Sequence, residues 1–208
     1  MAMDFRNILK IPYMYLLLQK IVCPDIYRKK FVAEHIKPFD GCKILDIGCG
    51  PADILRFIEE YGIDYTGFDM SDEYINSAKK KFSDKNVHLY CANVTYDVIN
   101  DLNLQNNFDI VLGLNILHHL NDGEAITFFE ICHLLLKQNV RLVTCDGARK
   151  ENDHFLSKWM LNHDRGKYVR TGQEYKNIAN SIFDDVELSF NTLNTLKVSG
   201  VVMTCTKR

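Results

Sequence analysis

A chain of 208 residues, 47% hydrophobic and 25% charged, has the length and balance of one soluble globular domain with a sizeable core. A net charge of −2 argues against the basic face of a nucleic-acid binder, and Lys79-Lys80-Lys81 reads as the solvated end of a helix, where cations suit the dipole. Seven cysteines, an odd number with no C-x-x-C, point to buried thiols in a reducing cytoplasm rather than to a zinc knuckle or a redox dithiol.

In chain order, residues 5–38 read as one or two helices, broken near Pro24. The apolar stretch 11–23 contains Pro12, Gln19 and Lys20 and falls short of the ~20 apolar residues of a membrane span. The first six residues lack the form of a secretory signal. A strand ending in Asp46-Ile47 then meets Gly48-Cys49-Gly50-Pro51-Ala52-Asp53. Glycines there let the backbone turn tightly and approach a ligand with no Cβ in the way, and a following helix offers unpaired N–H groups. The stripe Ile54, Leu55, Phe57 and Ile58 predicts that helix, with Gly62 as its left-handed end. A second strand, 65–69, also ends in an acid, Asp69. Ser71 caps a helix that buries Ile75, Ala78 and Phe82. Strands at 87–94 and 108–115 follow, the latter running into Ile116-Leu117-His118-His119-Leu120. A helix over 124–137 precedes a fifth strand, 140–145. Thr171-Gly172-Gln173-Glu174 is a capping box opening a helix to about 183. The strands 186–190 and 198–206 are joined too briefly for a helical crossover, so they pair antiparallel. The expected fold is α/β and Rossmann-like: a mostly parallel seven-stranded sheet with an antiparallel C-terminal strand, helices on both faces and an N-terminal helical extension.

Two cofactors suit the glycine turn. The dinucleotide fingerprint G-x-G-x-x-G/A finds Gly48 and Gly50 but Asp53 in its third place, where a carboxylate sits badly beside a pyrophosphate. Asp46, two residues before Gly48, suits an amino-bearing or cationic ligand. S-adenosylmethionine carries an α-amino group, a carboxylate and a sulfonium, and no phosphate. Asp69, nineteen residues after Gly50, can accept from both hydroxyls of an adenosine ribose, a spacing that NAD shares.

The succession LDIGCG, GFD, AN-V and FDIVLGLNILHHL, over roughly residues 42–146, resembles the class I S-adenosylmethionine-dependent methyltransferases. The flanks resemble a bacterial subgroup of methyltransferases of unassigned substrate, through residues 11–19 and 164–170. The resemblance implies S-adenosylmethionine as cofactor, S-adenosylhomocysteine as product and one domain over 1–208. Its parts are a helical cap (1–40), a cofactor-binding core (41–146), a lid (147–170) and a helix with terminal hairpin (171–208). Asp46 would lie near the amino end, Gly48, Cys49 and Gly50 at the close backbone approach, and Asp69 with Met70 at the ribose. Asn93 and Val94 would border the adenine, and Leu114 the methionine part.

Methyl transfer from a sulfonium is an in-line displacement from a donor already activated by its charge, so no metal is expected. Alignment contributes up to roughly 7–11 kcal/mol. An amine acceptor needs to be neutral and placed, whereas a hydroxyl gains about 10²–10⁴-fold from a general base. His118 and His119 are candidate bases at the carboxyl edge of the sheet, or else packing residues. Asp146, at the end of the fifth strand, either orients an acceptor or begins an Asp-Gly turn. The lid holds the single tryptophan, Trp159. Arg165 and Arg170 are candidates for an acceptor phosphate or carboxylate, against an Asp164–Arg165 surface pair. Tyr13, Tyr15 and Gln19 are candidate substrate contacts, or core. The sequence therefore reads as a cytoplasmic methyltransferase acting on a small-molecule or carrier-linked sugar, lipid or metabolite acceptor, with O-methylation preferred on the two histidines. It predicts no nucleic-acid partner and no membrane span, and leaves the oligomeric state open. The alternatives are a non-catalytic S-adenosylmethionine-binding partner or sensor, and an NAD-dependent oxidoreductase, which Asp53 and the terminal hairpin disfavour.

Overall fold

The computed structural model describes residues 23–83, 85–150, 167–191 and 200–208. Pro24, whose missing N–H suits a helix start, precedes α1 (Asp25–Phe31), which widens into a π turn over Val32–Ile36. The turn ends at Lys37 in the left-handed region, and the Arg141 guanidinium closes it by donating to the Ile36 and Lys37 carbonyls. Five strands then build the parallel part of the sheet: β1 (Lys43–Ile47), β2 (Asp64–Asp69), β3 (Val87–Cys91), β4 (Phe108–Leu114) and β5 (Leu136–Arg149). The helices α2 (Asp72–Lys81), α3 (Tyr96–Asp101) and α4 (Asp122–Leu135) connect them. After β5 come the short β6 (Arg170–Thr171), α5 (Gly172–Ala179), β7 (Asp185–Asn191) and β8 (Gly200–Lys207). The strand order is β3-β2-β1-β4-β5-β8-β7, with β6 attached to β5. β8 runs antiparallel to both β5 and β7.

Successive residues of a strand face opposite sides, and here both sides are covered. Leu45 and Ile47 of β1 join Val111 of β4 in one core, with Phe128 and Phe129 of α4. Ile44 and the β4 residues Ile110 and Leu112 join the other, with Leu55 and Ile58. A Cβ on Gly113 would come within 2.5 Å of the Phe128 ring, so α4 lies close against the strand that leads to the histidine pair. Among the described residues no helix is long and apolar enough to cross a membrane.

Five local expectations are corrected. The stripe after Asp53 winds as two 3-10 turns, Asp53–Phe57 and Glu59–Tyr61, not as an α-helix. Leu55, Ile58 and Tyr61 each donate to a carbonyl three residues back, and Ile58 breaks the run at φ −126°. The helix expected to reach residue 137 ends at Leu135, because Leu136 already pairs with Phe108. β5 passes through Asp146 and Gly147, which pair with Val201 and Gly200, so no Asp-Gly turn begins there. α5 stops at Ala179, short of residue 183. The strand expected over 87–94 closes at Cys91.

Candidate active site

The carboxyl ends of β1 and β2 form one half of the site. Gly48 (φ 74°) and Gly50 (φ 54°) both occupy the left-handed region that a side chain disfavours. A Cβ on Gly48 would press on Ile116 Cδ1 at 3.2 Å, whereas one on Gly50 would meet nothing within 4 Å. The loop thus packs against the histidine turn at Gly48 and leaves open space at Gly50. Asp69 stiffens it: one carboxylate oxygen accepts from the Gly50 N–H at 2.8 Å and the other from the Ser71 N–H at 2.8 Å. Each oxygen keeps a second lone pair, so the acid is already oriented for a ribose diol.

Asp46 lies beneath the loop, 2% exposed. The Tyr65 hydroxyl donates to its Oδ2 at 2.7 Å, while Oδ1 is buried with no hydrogen-bond partner among the described residues. Burial pushes the carboxyl up to about 7, against the lowering by Tyr65 and with the Asp69 charge adding to the rise. A buried acceptor left unsatisfied is costly, and an ammonium group is the donor that would repay it. This orphaned oxygen and the space at Gly50 fit the amino end of S-adenosylmethionine. Cys49 is buried alongside, its thiol raised well above the ordinary range by burial. Leu114 is half-buried at the end of β4, Asn93 and Met70 are exposed, and Val94 packs into the core that contains Phe68.

Asp53, which the sequence used only to exclude a pyrophosphate, anchors the loop from behind. Its carboxylate pairs with Arg28 of α1, with Lys81 of α2 at 3.0 Å and with Arg56 at 3.4 Å. Burial opposes ionisation, but the Lys81 hydrogen bond and the three cations hold the carboxyl below its ordinary value. Ala52 before it takes the left-handed conformation (φ 53°) although fully buried. Arg56 lies in the same 3-10 turn, but Arg28 and Lys81 come from two other elements, which is why sequence spacing did not reveal them.

The other half lies at the ends of β4 and β5. Asn115, at φ 59°, turns the chain out of β4 into the 3-10 turn Leu117–His119. Asp146 on β5, 2% exposed, faces that turn: its Oδ1 is 2.8 Å from His118 Nδ1 and accepts from the His118 N–H at 3.3 Å. His118 is 4% exposed, and the exposed His119 ring lies 4.2 Å from it, centroid to centroid. The two residues singled out separately in the sequence, His118 and Asp146, are thus one buried pair. Arg170 departs from its expected role as an anion ligand. It is 7% exposed, and its guanidinium bonds to Asp122 and to the Leu117, Leu120 and Tyr168 carbonyls. Tyr13, Tyr15, Gln19, Trp159 and Arg165 lie outside the described residues.

Residues 44–139 match a family model described as a methyltransferase domain. A phosphoethanolamine N-methyltransferase of Plasmodium falciparum is 26% identical over 151 residues, 72% of this chain and 56% of that protein. A ubiquinone biosynthesis O-methyltransferase of Cereibacter sphaeroides is 24% identical over 161 residues, 72% of this chain and 63% of the relative. The chain therefore spans less than two thirds of the length of either. A solved phosphoethanolamine N-methyltransferase 2 from Haemonchus contortus, in complex with phosphomonomethylethanolamine and S-adenosylhomocysteine, superposes with a TM-score of 0.74 at 16% identity, covering 99% of this chain and 61% of that one. The strand order and the glycine turn between two acid-bearing strands are those of the class I S-adenosylmethionine-dependent methyltransferase fold, and over residues 44–139 the chain is similar to a methyltransferase domain.

Proposed function

We propose that the protein transfers a methyl group from S-adenosylmethionine to an oxygen of a small-molecule acceptor, with His118 as general base and Asp146 as its orienting partner. The observation that carries this reading is the buried 2.8 Å contact between His118 Nδ1 and Asp146 Oδ1 at the carboxyl edge of the sheet. The named relatives include both an N- and an O-methyltransferase, so the acceptor atom is argued from this pair.

When bound, S-adenosylmethionine supplies an electrophilic methyl whose carbon–sulfur bonding pair leaves with sulfur. On the protein side, Asp46 receives the ammonium group, Asp69 the ribose hydroxyls, and the backbone at Gly50 the close approach. Met70 lies beside Asp69 on the ribose side, Asn93 flanks the adenine side and Leu114 the methionine side; Val94 contributes from the core behind. With its Nδ1–H donated to Asp146, the His118 ring bears its basic lone pair on Nε2. As the acceptor oxygen attacks the methyl carbon, its proton passes to that nitrogen, and the Asp146 carboxylate stabilises the imidazolium that forms. His119 borders the pair from the solvent side. Tyr13, Tyr15, Gln19 and Arg165 are proposed acceptor contacts on sequence grounds.

The test is S-adenosylhomocysteine release from S-adenosylmethionine over a panel of phenols and alcohols and a matched panel of amines. A methyl ether formed by the wild type and lost in His118→Asn, with cofactor affinity retained, supports the reading. Transfer confined to amines, or undiminished in His118→Asn, overturns it.

A further inference from the structure

The His118–Asp146 pair joins two strands, β4 and β5, and something must keep its two members in register. We propose that Arg170 is the positioning residue of this pair, holding the turn that carries His118 to the strand that carries Asp146. The inference rests on the methyltransferase reading for its consequence but not for its geometry.

Arg170 is tied to β5 through its backbone. It sits on β6, where it pairs with Ala148, two residues beyond Asp146. Its N–H also donates to the Tyr175 hydroxyl at 3.4 Å, and that hydroxyl donates to the carbonyl of Gly147 at 3.3 Å. Its side chain reaches the other strand's turn. Nη1 donates to the Leu117 carbonyl at 3.2 Å and Nη2 to the Leu120 carbonyl at 2.8 Å, on either side of His118 and His119. Two residues back, the Tyr168 N–H donates to the His118 carbonyl at 3.0 Å. The Leu117 carbonyl already accepts from the Leu120 N–H at 3.1 Å; the planar guanidinium fork adds a second donor to it and reaches the Leu120 carbonyl at a fixed separation, as an ammonium cannot. Asp122, at the start of α4, neutralises the fork through Nε at 3.1 Å and Nη2 at 2.7 Å. Tyr175 packs against the guanidinium at 5.5 Å. The group thus has its donors directed at protein acceptors, which accounts for the loss of the anion-binding role its sequence position suggested. None of these bonds reaches β1 or β2, so Arg170 acts on the base and not on the cofactor half.

The test uses the full chain and three single variants, Arg170→Lys, Asp122→Asn and Asp146→Asn, with S-adenosylhomocysteine titration and long-range ¹H–¹⁵N spectra of the His118 ring. In the wild type the ring is expected as one tautomer, protonated at Nδ1. Arg170→Lys should convert it to a mixture, as Asp146→Asn does, while S-adenosylhomocysteine affinity stays within about two-fold, the behaviour of separate sites. Asp122→Asn, at an exposed side chain, should give a smaller change of the same sign; it carries the test should Arg170→Lys not fold. A His118 spectrum unchanged in every folded Arg170 or Asp122 variant overturns the proposal. A wild type that does not bind S-adenosylhomocysteine is a failure of the methyltransferase reading, and the ring spectra still decide the role of Arg170.

Discussion

The two halves of the site are built by opposite means. The proposed cofactor half, at β1 and β2, presents backbone and an unsatisfied acid: among the described residues, nothing lies within 4 Å of where a Gly50 Cβ would stand, and Asp46 Oδ1 is buried without a donor. The proposed acceptor half, at β4 and β5, is held by side-chain contacts, His118 on Asp146 and Arg170 on the turn between them, although Asp146 Oδ2 is likewise buried with no partner among the described residues. A ligand common to a whole family can be met by backbone geometry and a few acids. An acceptor particular to one enzyme needs a base held at one angle, which takes a supporting set of buried polar contacts.

The sharpest way to break the comparison is to disable one half and read the other. His118→Asn should lower turnover by about 10²–10⁴-fold, the range for a general base, with S-adenosylhomocysteine affinity retained. Asp69→Ala should do the reverse. It removes the anchors of Gly50 and Ser71 along with the ribose acceptor, and hydrogen bonds to a charged group contribute about 1.5–3 kcal/mol each. Calorimetry should show a loss of affinity of at least tens-fold.

Asp46 separates affinity from stability. Its carboxyl titrates at about 7 in the folded chain, and a bound ammonium favours the carboxylate. S-adenosylhomocysteine affinity should therefore rise with pH up to about 7 and level off above it. In Asp46→Asn the affinity should be lower and flat over the same range. Folding follows the other sign. The raised value means the folded state holds a proton that the unfolded chain releases, so the Asp46 contribution falls as pH climbs from about 4 to about 7. Thermal melts at pH 8 should find Asp46→Asn at least as stable as the wild type, as expected where function keeps a strained acid in place.

Asp53 is the contrasting acid, with a carboxyl held below its ordinary value by Lys81, Arg28 and Arg56. Its stabilisation is present at neutral pH and lost as pH falls through that lowered value. Asp53→Asn should lower the melting temperature at pH 7 and do so less in acid, where the wild type has lost the same charge. The smallest effect belongs to Met70→Ala. At 76% exposure it should shift stability by no more than about 0.5 kcal/mol in denaturant melts.

Much of the cofactor half was legible in the sequence because it is local. An apolar strand, an acid and a glycine turn lie within a few residues, and Asp69 follows at a fixed interval. The mostly parallel sheet with its antiparallel terminal pair was legible too, since alternating strands and helices imply parallel pairing and a short connection implies a hairpin. The failures came where distant residues decide. Ile54 to Ile58 read as an α-helix but winds as a 3-10 turn, while Asp53 at its start is held by the distant Arg28 and Lys81. Asp146 read as a strand end because the antiparallel partner that prolongs β5, Gly200 to Lys207, lies some fifty residues on. Arg170 read as an anion ligand because its acceptors, the Leu117 and Leu120 carbonyls, are backbone atoms that no motif encodes.

The central claim, an S-adenosylmethionine site built on Asp46, Gly50 and Asp69, is tested most directly by calorimetric titration of the full chain with S-adenosylhomocysteine, with NADH alongside and Asp69→Ala as the second sample. Micromolar binding of S-adenosylhomocysteine, none of NADH, and a clear loss in Asp69→Ala are expected. Tight NADH binding with no response to S-adenosylhomocysteine would contradict it.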